Sequence, residues 1–271
     1  QPPPPPGQVI EAVFEDLDLK HKVFQAVEPL VKDTCVLATN TSAIPISKVA
    51  AGCAKPERVL GMHYFSPVPS MQLLEIIPHA TTADEAMAAA FAVGIKQGKF
   101  CIEVADVPGF YVNRCLAPMM AEVGPLFQDG VTPKQLDDAI LDLGMPVGPI
   151  TLLDEVGADV GLHVQQTMSA DDTMGVRMTG ADPAMLEACV EKGWLGRKSG
   201  KGFFVYDGKK KTPHQDAIDF VEKTVKRRDA GLTTEEIQDR YLTRFVNEAA
   251  ICLQEGILKT PVDGDLGAVF G

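Results

Sequence analysis

A chain of 271 residues, 45% hydrophobic and 23% charged, has the balance of a globular protein of one large or two ordinary domains, which excludes disorder, collagen and coiled coil. Its 37 acidic residues outnumber 25 basic ones, and the formal charge of -12 opposes attraction to phosphate backbones, so nucleic acid is not an expected partner. No stretch approaches the roughly 20 apolar residues of a membrane-spanning helix, so membrane association is not indicated by this segment; neither a basic leader nor an apolar h-region opens it.

The chain opens with QPPPPPG at 1–7, which predicts a polyproline II stretch foreign to the rest of the chain, because each ring fixes φ and removes a donor. From Gln8 onward short apolar runs alternate with helical periodicity. Strands are predicted at Val9 to Val13, Cys35 to Ala38, Val59 to Met62, Leu73 to Ile77 and Phe100 to Val104; helices are predicted at Phe14 to Leu30, Ile46 to Ala51 and 84–97. This interleaving argues for βαβ units and a mainly parallel sheet covered on both faces. After Pro108-Gly109 the texture becomes helical, with Tyr111 to Gln128, Pro133 to Leu143, Thr151 to Thr167, Pro183 to Lys192 and Thr234 to Ile257, and only Phe203 to Tyr206 reads as a strand. The domains are therefore expected at 8–107 and 108–271. A faint repeat, Arg114, Glu122, Gly130 and Asp137 echoed by Arg244, Glu248, Gly256 and Asp265, suggests a second copy truncated at Gly271.

Chemistry has three candidate places. His63, in GMHYFSP, stands at the C-terminal end of a predicted buried strand, where ligands bind in open α/β sheets. Glu75 interrupts the apolar run LLEII twelve residues later, and a carboxylate inside such a strand is costly unless paired. With prolines at 67 and 69 forcing a turn, the two can meet, giving a general base His63 oriented by Glu75; the plain alternative is a hydrogen-bonded core histidine and a surface glutamate. The second place is NTS at 40–42, with Asn113 after the turn at 108–111: short hydroxyl and amide side chains that bind carbonyls or hydroxyls but equally serve as caps and turns. The third, GRKSGKGFF at 196–204, departs from the Walker pattern and is either a solvated turn or a contact to a phosphate or carboxamide. The six cysteines (Cys35, Cys53, Cys101, Cys115, Cys189, Cys252) have no metal-ligand spacing and read as small buried hydrophobes in a reducing compartment, so no metal is expected.

VIEAVFEDLDLKHKVF, NTSAIPIS, GMHYFSPVPSMQLLEII, PGFYVNR and GRKSGKGFF, in this order and spacing, resemble the L-3-hydroxyacyl-CoA dehydrogenases of fatty-acid β-oxidation. GMHYFSPV, RCLAPMM and RFVNEAAICLQEGIL most resemble the dehydrogenase portion of mitochondrial trifunctional α subunits, with peroxisomal multifunctional enzymes a poorer match. The resemblance implies oxidation of (3S)-hydroxyacyl-CoA to 3-ketoacyl-CoA with NAD as cofactor, and a mitochondrial location with a peroxisomal alternative. It implies that His63 takes the hydroxyl proton with Glu75 orienting it, and that Ser42 and Asn113 lie near the substrate's hydroxyl and thioester carbonyl. Glu15, Lys20, Ser42, Ser66 and Lys198 then match dinucleotide positions, although single-function relatives often carry asparagine where Ser66 stands. It further implies an acyl-CoA substrate, self-association or a thiolase-type partner subunit, and a helical domain that supports the substrate cleft.

Such enzymes open with a strand, a G-x-G-x-x-G turn and a helix that receives the pyrophosphate, and no such motif follows an early strand here. The expected fold is therefore an α/β, partial Rossmann-like domain lacking its first βαβ half, followed by an all-α domain, and cofactor binding by this segment is expected to be impaired. The rival expectation is a non-catalytic assembly or acyl-CoA-binding module. A β-hydroxyacid dehydrogenase with a catalytic lysine is disfavoured by GMHYFSP.

Overall fold

The computed structural model describes residues 7–208 and 210–271, so the polyproline II expectation for Pro2 to Pro6 lies outside the described residues. In chain order the elements are β1 (Gln8–Glu11), α1 (Leu17–Val27), β2 (Val36–Thr39), α2 (Ile46–Ala50), β3 (Val59–Tyr64), β4 (Leu73–Ile77), α3 (Asp84–Lys96), β5 (Phe100–Glu103), α4 (Val112–Ala121), α5 (Val123–Gln128), α6 (Pro133–Asp142), α7 (Pro149–Val156), α8 (Ala158–Ala170), α9 (Ala184–Glu191), β6 (Phe204–Asp207), β7 (Lys210–Pro213), α10 (Gln215–Phe220), α11 (Thr234–Gln254) and α12 (Pro261–Phe270). Two compact units result: Gln1–Arg114 with Ala249–Gly271, and Cys115–Glu248.

The first unit is built on a five-stranded sheet ordered β1-β2-β3-β4-β5. β1, β2 and β3 run parallel; β4 is antiparallel to β3, and β5 parallel to β4. Valine, leucine and isoleucine fill its buried strands because both faces are covered. One face packs Val36, Ala38, Leu60, Met62, Leu74 and Ile76 against Ala86 and Ala90 of α3. The opposite face meets α2 at β3 and α12 at β4 and β5. Helix α1 begins at Leu17 rather than Phe14, since the Asp16 carboxylate accepts the Leu19 N–H at 2.7 Å and caps the helix there.

The C-terminal residues depart from the expected division. Ala249–Gly271 groups with the sheet rather than with the helices, because Leu258 bridges Val104 and α12, which periodicity did not predict, packs on β4 and β5.

The second unit is helical apart from the β6–β7 hairpin, whose second strand was not predicted. Its core gathers Val123, Leu126, Phe127, Leu136, Ile140, Ile150, Trp194, Phe203 and Tyr241. The single helix expected over 151–167 is two, broken at Gly157, whose φ of 103° no other residue type adopts cheaply. The helix expected over 111–128 is likewise two, since the ring of Pro125 conflicts with the carbonyl four residues back, at Ala121. Among the described residues no helix is long and apolar enough to cross a membrane, and no group of three histidine, cysteine or acidic side chains is placed to hold a metal ion. All six cysteines are free thiols; Cys35, Cys115, Cys189 and Cys252 are buried, Cys53 and Cys101 partly so.

Candidate active site

The antiparallel register of β3 and β4 places His63 directly opposite Glu75, so a separation of twelve residues in sequence becomes a cross-strand pair on one face of the sheet. His63 Nδ1 and Glu75 Oε2 lie 2.6 Å apart, with the Glu75 side chain fully buried and that of His63 7% exposed. Burying a carboxylate requires compensating donors. Glu75 has them: its Oε1 accepts the backbone N–H of Tyr111 at 3.1 Å and of Val112, the first residue of α4, at 3.0 Å. A carboxylate facing two N–H donors offers only acceptors, so Nδ1–H donates to it and the lone pair lies on Nε2. Among the described residues Nε2 has no protein hydrogen-bond partner. The imidazole is held between Phe65, at a ring-centroid distance of 4.6 Å, and Phe110, at 5.5 Å. Phe110 has a φ of 52°, the single positive value outside glycine among the described residues, a conformation that persists only where the surroundings enforce it.

A second polar cluster surrounds Glu15. Its Oε1 accepts the Thr41 hydroxyl at 2.5 Å and the N–H groups of Ser42 and Ala43, each at 3.1 Å. Burial raises this carboxyl, but the Thr41 hydrogen bond, the Lys20 charge and the Ala43 N–H together hold it below its ordinary value. Lys20 lies beneath, 1% exposed, with Nζ 3.0 Å from Glu11 and 3.3 Å from Glu15. Its charge therefore acts on Glu15 from below. The Thr39 hydroxyl completes the shell of Glu11 at 2.7 Å.

Of the remaining expected residues, Ser42 and Ser66 are exposed and Asn113 is half-buried on α4, one residue beyond the Val112 N–H that Glu75 accepts. Asn40 ties two strand exits together, its Oδ1 accepting the Tyr64 N–H at 2.8 Å. Lys198 belongs to the second unit, where it donates to Asp159 and holds that carboxyl below its ordinary value. The glycine-rich GRKSGKGFF is a wrapper around Asp154: a Cβ at Gly196 or Gly202 would collide with that residue, and Asp154 accepts the N–H groups of Phe203 and Phe204, each at 2.9 Å. Glu11, Phe110 and the Tyr111 and Val112 amides escaped the sequence reading. Only Glu11 left a signal, as a charge inside the apolar run VIEAV.

A mostly parallel sheet with a cross-strand histidine–carboxylate pair on its β3 and β4 strands, followed by a helical unit, defines a class that the sequence comparisons identify. Residues 7–107 match the NAD binding domain of 3-hydroxyacyl-CoA dehydrogenase and residues 109–206 its C-terminal domain. The chain belongs to the 3-hydroxyacyl-CoA dehydrogenase family, whose cofactor is NAD. The fatty acid oxidation complex subunit alpha of Vibrio parahaemolyticus is 45% identical over 263 residues, covering 97% of this chain and 36% of that protein. The chain thus spans about a third of the length of the curated relatives it matches. Among solved structures, (S)-3-hydroxybutyryl-CoA dehydrogenase PaaH1 from Ralstonia eutropha is 36% identical with a TM-score of 0.68, covering 74% of this chain and 71% of that one. The 3-hydroxybutyryl-CoA dehydrogenase of Escherichia coli K12 shares the fold, with a TM-score of 0.78 at 24% identity over 95% of this chain and 70% of that one.

These comparisons correct one expectation. Relatives 43–45% identical to this chain come from the bacteria Vibrio parahaemolyticus, Vibrio campbellii and Shewanella halifaxensis, whose cells contain neither mitochondria nor peroxisomes, so the mitochondrial location and its peroxisomal alternative are both set aside.

Proposed function

We propose that this chain is the dehydrogenase part of a fatty-acid oxidation α subunit, which oxidises the 3-hydroxyl of a (3S)-hydroxyacyl-CoA to a ketone, with His63 as the general base. The observation that carries this reading is the buried His63–Glu75 pair: Nδ1 is engaged by a carboxylate while Nε2 has no protein partner among the described residues. Nε2 accepts the proton as the C3–OH becomes C3=O, and returns it in the reverse direction. Glu75 is a positioning residue: by holding Nδ1–H it fixes the tautomer and stabilises the imidazolium that forms, while the rings of Phe65 and Phe110 exclude water from the imidazole faces. Ser42 and Asn113, whose hydroxyl and carboxamide make no protein hydrogen bonds among the described residues, are assigned to the substrate hydroxyl and thioester carbonyl.

Bound NAD supplies the two-electron acceptor. The donor set fits its hydroxyl-rich parts: Glu15 offers a carboxylate to ribose hydroxyls, Ser42 and Ser66 offer exposed hydroxyls, and Lys20 supports Glu15. A glycine-rich N–H cradle for the pyrophosphate is not found among the described residues. Acyl-CoA as substrate, and association with a further copy or a thiolase-type subunit, belong to the same proposal; that a relative is named as one subunit of a fatty acid oxidation complex supports a multi-subunit assembly.

The test is reduction of acetoacetyl-CoA, followed as loss of NADH absorbance, by the parent chain and by His63→Gln. A fall in kcat of roughly 10²–10⁴-fold with little change in NADH affinity is expected. Equal rates would remove His63 from the mechanism. A parent that binds acetoacetyl-CoA without turnover would favour the assembly-module reading.

A further inference from the structure

The His63–Glu75 pair depends on one short segment. Both N–H groups that hold Glu75 in place belong to Tyr111 and Val112, and the Tyr111 ring is 1% exposed. That ring is seated on α12. Its hydroxyl donates to the carbonyl of Gly264 at 3.1 Å, and Gly264 and Gly267, one turn apart, face it. A Cβ at Gly267 would lie 2.5 Å from Cε1 and 2.6 Å from Cδ1 of the ring, closer than side chains pack, and one at Gly264 would lie 3.4 Å from the hydroxyl. Glycine weakens a helix interior, and in this helix of ten residues contact with the Tyr111 ring accounts for Gly267, while a Cβ at Gly264 would first meet Leu258 Cδ1 at 3.2 Å. α12 is itself fixed to the sheet: Phe270 stacks on Phe100 with centroids 4.4 Å apart, Lys259 pairs with Glu103 at 2.8 Å, and Leu258 bridges Val104.

We propose that Tyr111, clamped against the glycine face of α12, is a positioning residue for the His63–Glu75 pair. The path is a line of direct contacts: α12 sets the ring, the ring sets the Tyr111–Val112 amides, these set Glu75, and Glu75 sets His63 Nδ1–H. The inference rests on the reading of His63 as the base, but its structural content can be measured without turnover.

The experiment is proton NMR of the chain labelled with ¹⁵N-histidine, in which an Nδ1–H donated to a buried carboxylate appears far downfield and is assigned by its loss in His63→Asn. Tyr111→Phe, which keeps the ring, should leave the resonance in place with water exchange within about twofold of the parent. Gly267→Val and Tyr111→Ala should broaden it away or speed its exchange by about tenfold or more while circular dichroism shows a folded chain. If Gly267→Val does not fold, the smaller Gly267→Ala, whose Cβ still meets the Tyr111 ring, should speed exchange several-fold. Where turnover is measurable, Gly267→Val should lower kcat far more than it raises KM. A folded Gly267→Val or Tyr111→Ala with the parental resonance and exchange overturns the proposal, as does a parent with no such resonance. Unchanged turnover in His63→Gln, with the NMR coupling intact, would instead remove the catalytic reading and leave the coupling standing.

Discussion

Each compact unit buries a carboxylate beneath two consecutive backbone N–H groups, and the difference between them separates a site from a scaffold. In the first, Glu75 accepts from Tyr111 and Val112 and receives His63; in the second, Asp154 accepts from Phe203 and Phe204 and receives the Tyr206 hydroxyl at 3.1 Å. The third partner decides the role. An imidazole held by one nitrogen presents the other as a lone pair, whereas a phenol held by its oxygen presents only its ring. Burial pushes the Asp154 carboxyl above its ordinary value, and burial together with the Asp154 charge pushes the Tyr206 hydroxyl up as well, further from titrating near neutrality. Both Asp154 oxygens are occupied, Oδ1 by the Phe203 N–H and Oδ2 by the Phe204 N–H and the Tyr206 hydroxyl.

The largest expected effect breaks the first of these constellations at its reactive end. His63→Gln should lower kcat by roughly 10²–10⁴-fold, and it is read against the same assay in Asp154→Ala, whose folded fraction should turn over at the parental rate. Next comes the coupling within the pair. Glu75→Gln should lower kcat less than His63→Gln does, and the double variant should lose no more than the larger single loss; a loss equal to the product of the two would show that the residues act independently.

Stability rather than rate should report the second constellation. Asp154→Ala strands the two buried amides of Phe203 and Phe204, each costing about 1–3 kcal/mol, and releases the half-buried Tyr206 hydroxyl, so urea denaturation should show about 2–5 kcal/mol of destabilisation. Because burial raises Asp154 in the folded chain above its unfolded value near 3.8, its contribution is largest at low pH and is lost as pH rises through the raised value. Asp154→Asn should flatten that part of the stability profile. The smallest effect concerns Glu15, which is held below its ordinary value and therefore stabilises above that value, losing the contribution as pH falls through the lowered one. Thr41→Val removes a hydroxyl donor, so a carboxyl titration followed by NMR should move upward; an unchanged titration would mean that Lys20 and the Ala43 amide suffice.

Much of the first unit was legible because its strands are continuous apolar runs between turn residues, and β4 was read with its exact ends for that reason. Helix α12 escapes periodicity although it carries a Thr260 cap and Pro261 in its first turn, since Gly264 and Gly267 dilute its pattern, and the reason for Gly267, room for the Tyr111 ring, lies about 150 residues away. The β6–β7 hairpin lost its second strand because Lys210 to Pro213 is exposed and has no apolar alternation to read.

For the site, the sequence alone determined which residue types were out of place: a carboxylate in LLEII and a histidine at the end of a buried strand can both be named from the cost of burying charge. It also determined the alternation of strand and helix, through periodicity. Tertiary structure alone decided that β4 runs antiparallel to β3, which puts Glu75 opposite His63 rather than several residues along, and that two amides after Phe110 complete its shell. It decided too that the glycines of GRKSGKGFF enclose Asp154. The physical reason is common to these cases: a side chain's burial preference is a property of the residue, whereas the partner that satisfies it is set by register and by chain segments far apart in sequence, on which local periodicity carries no information.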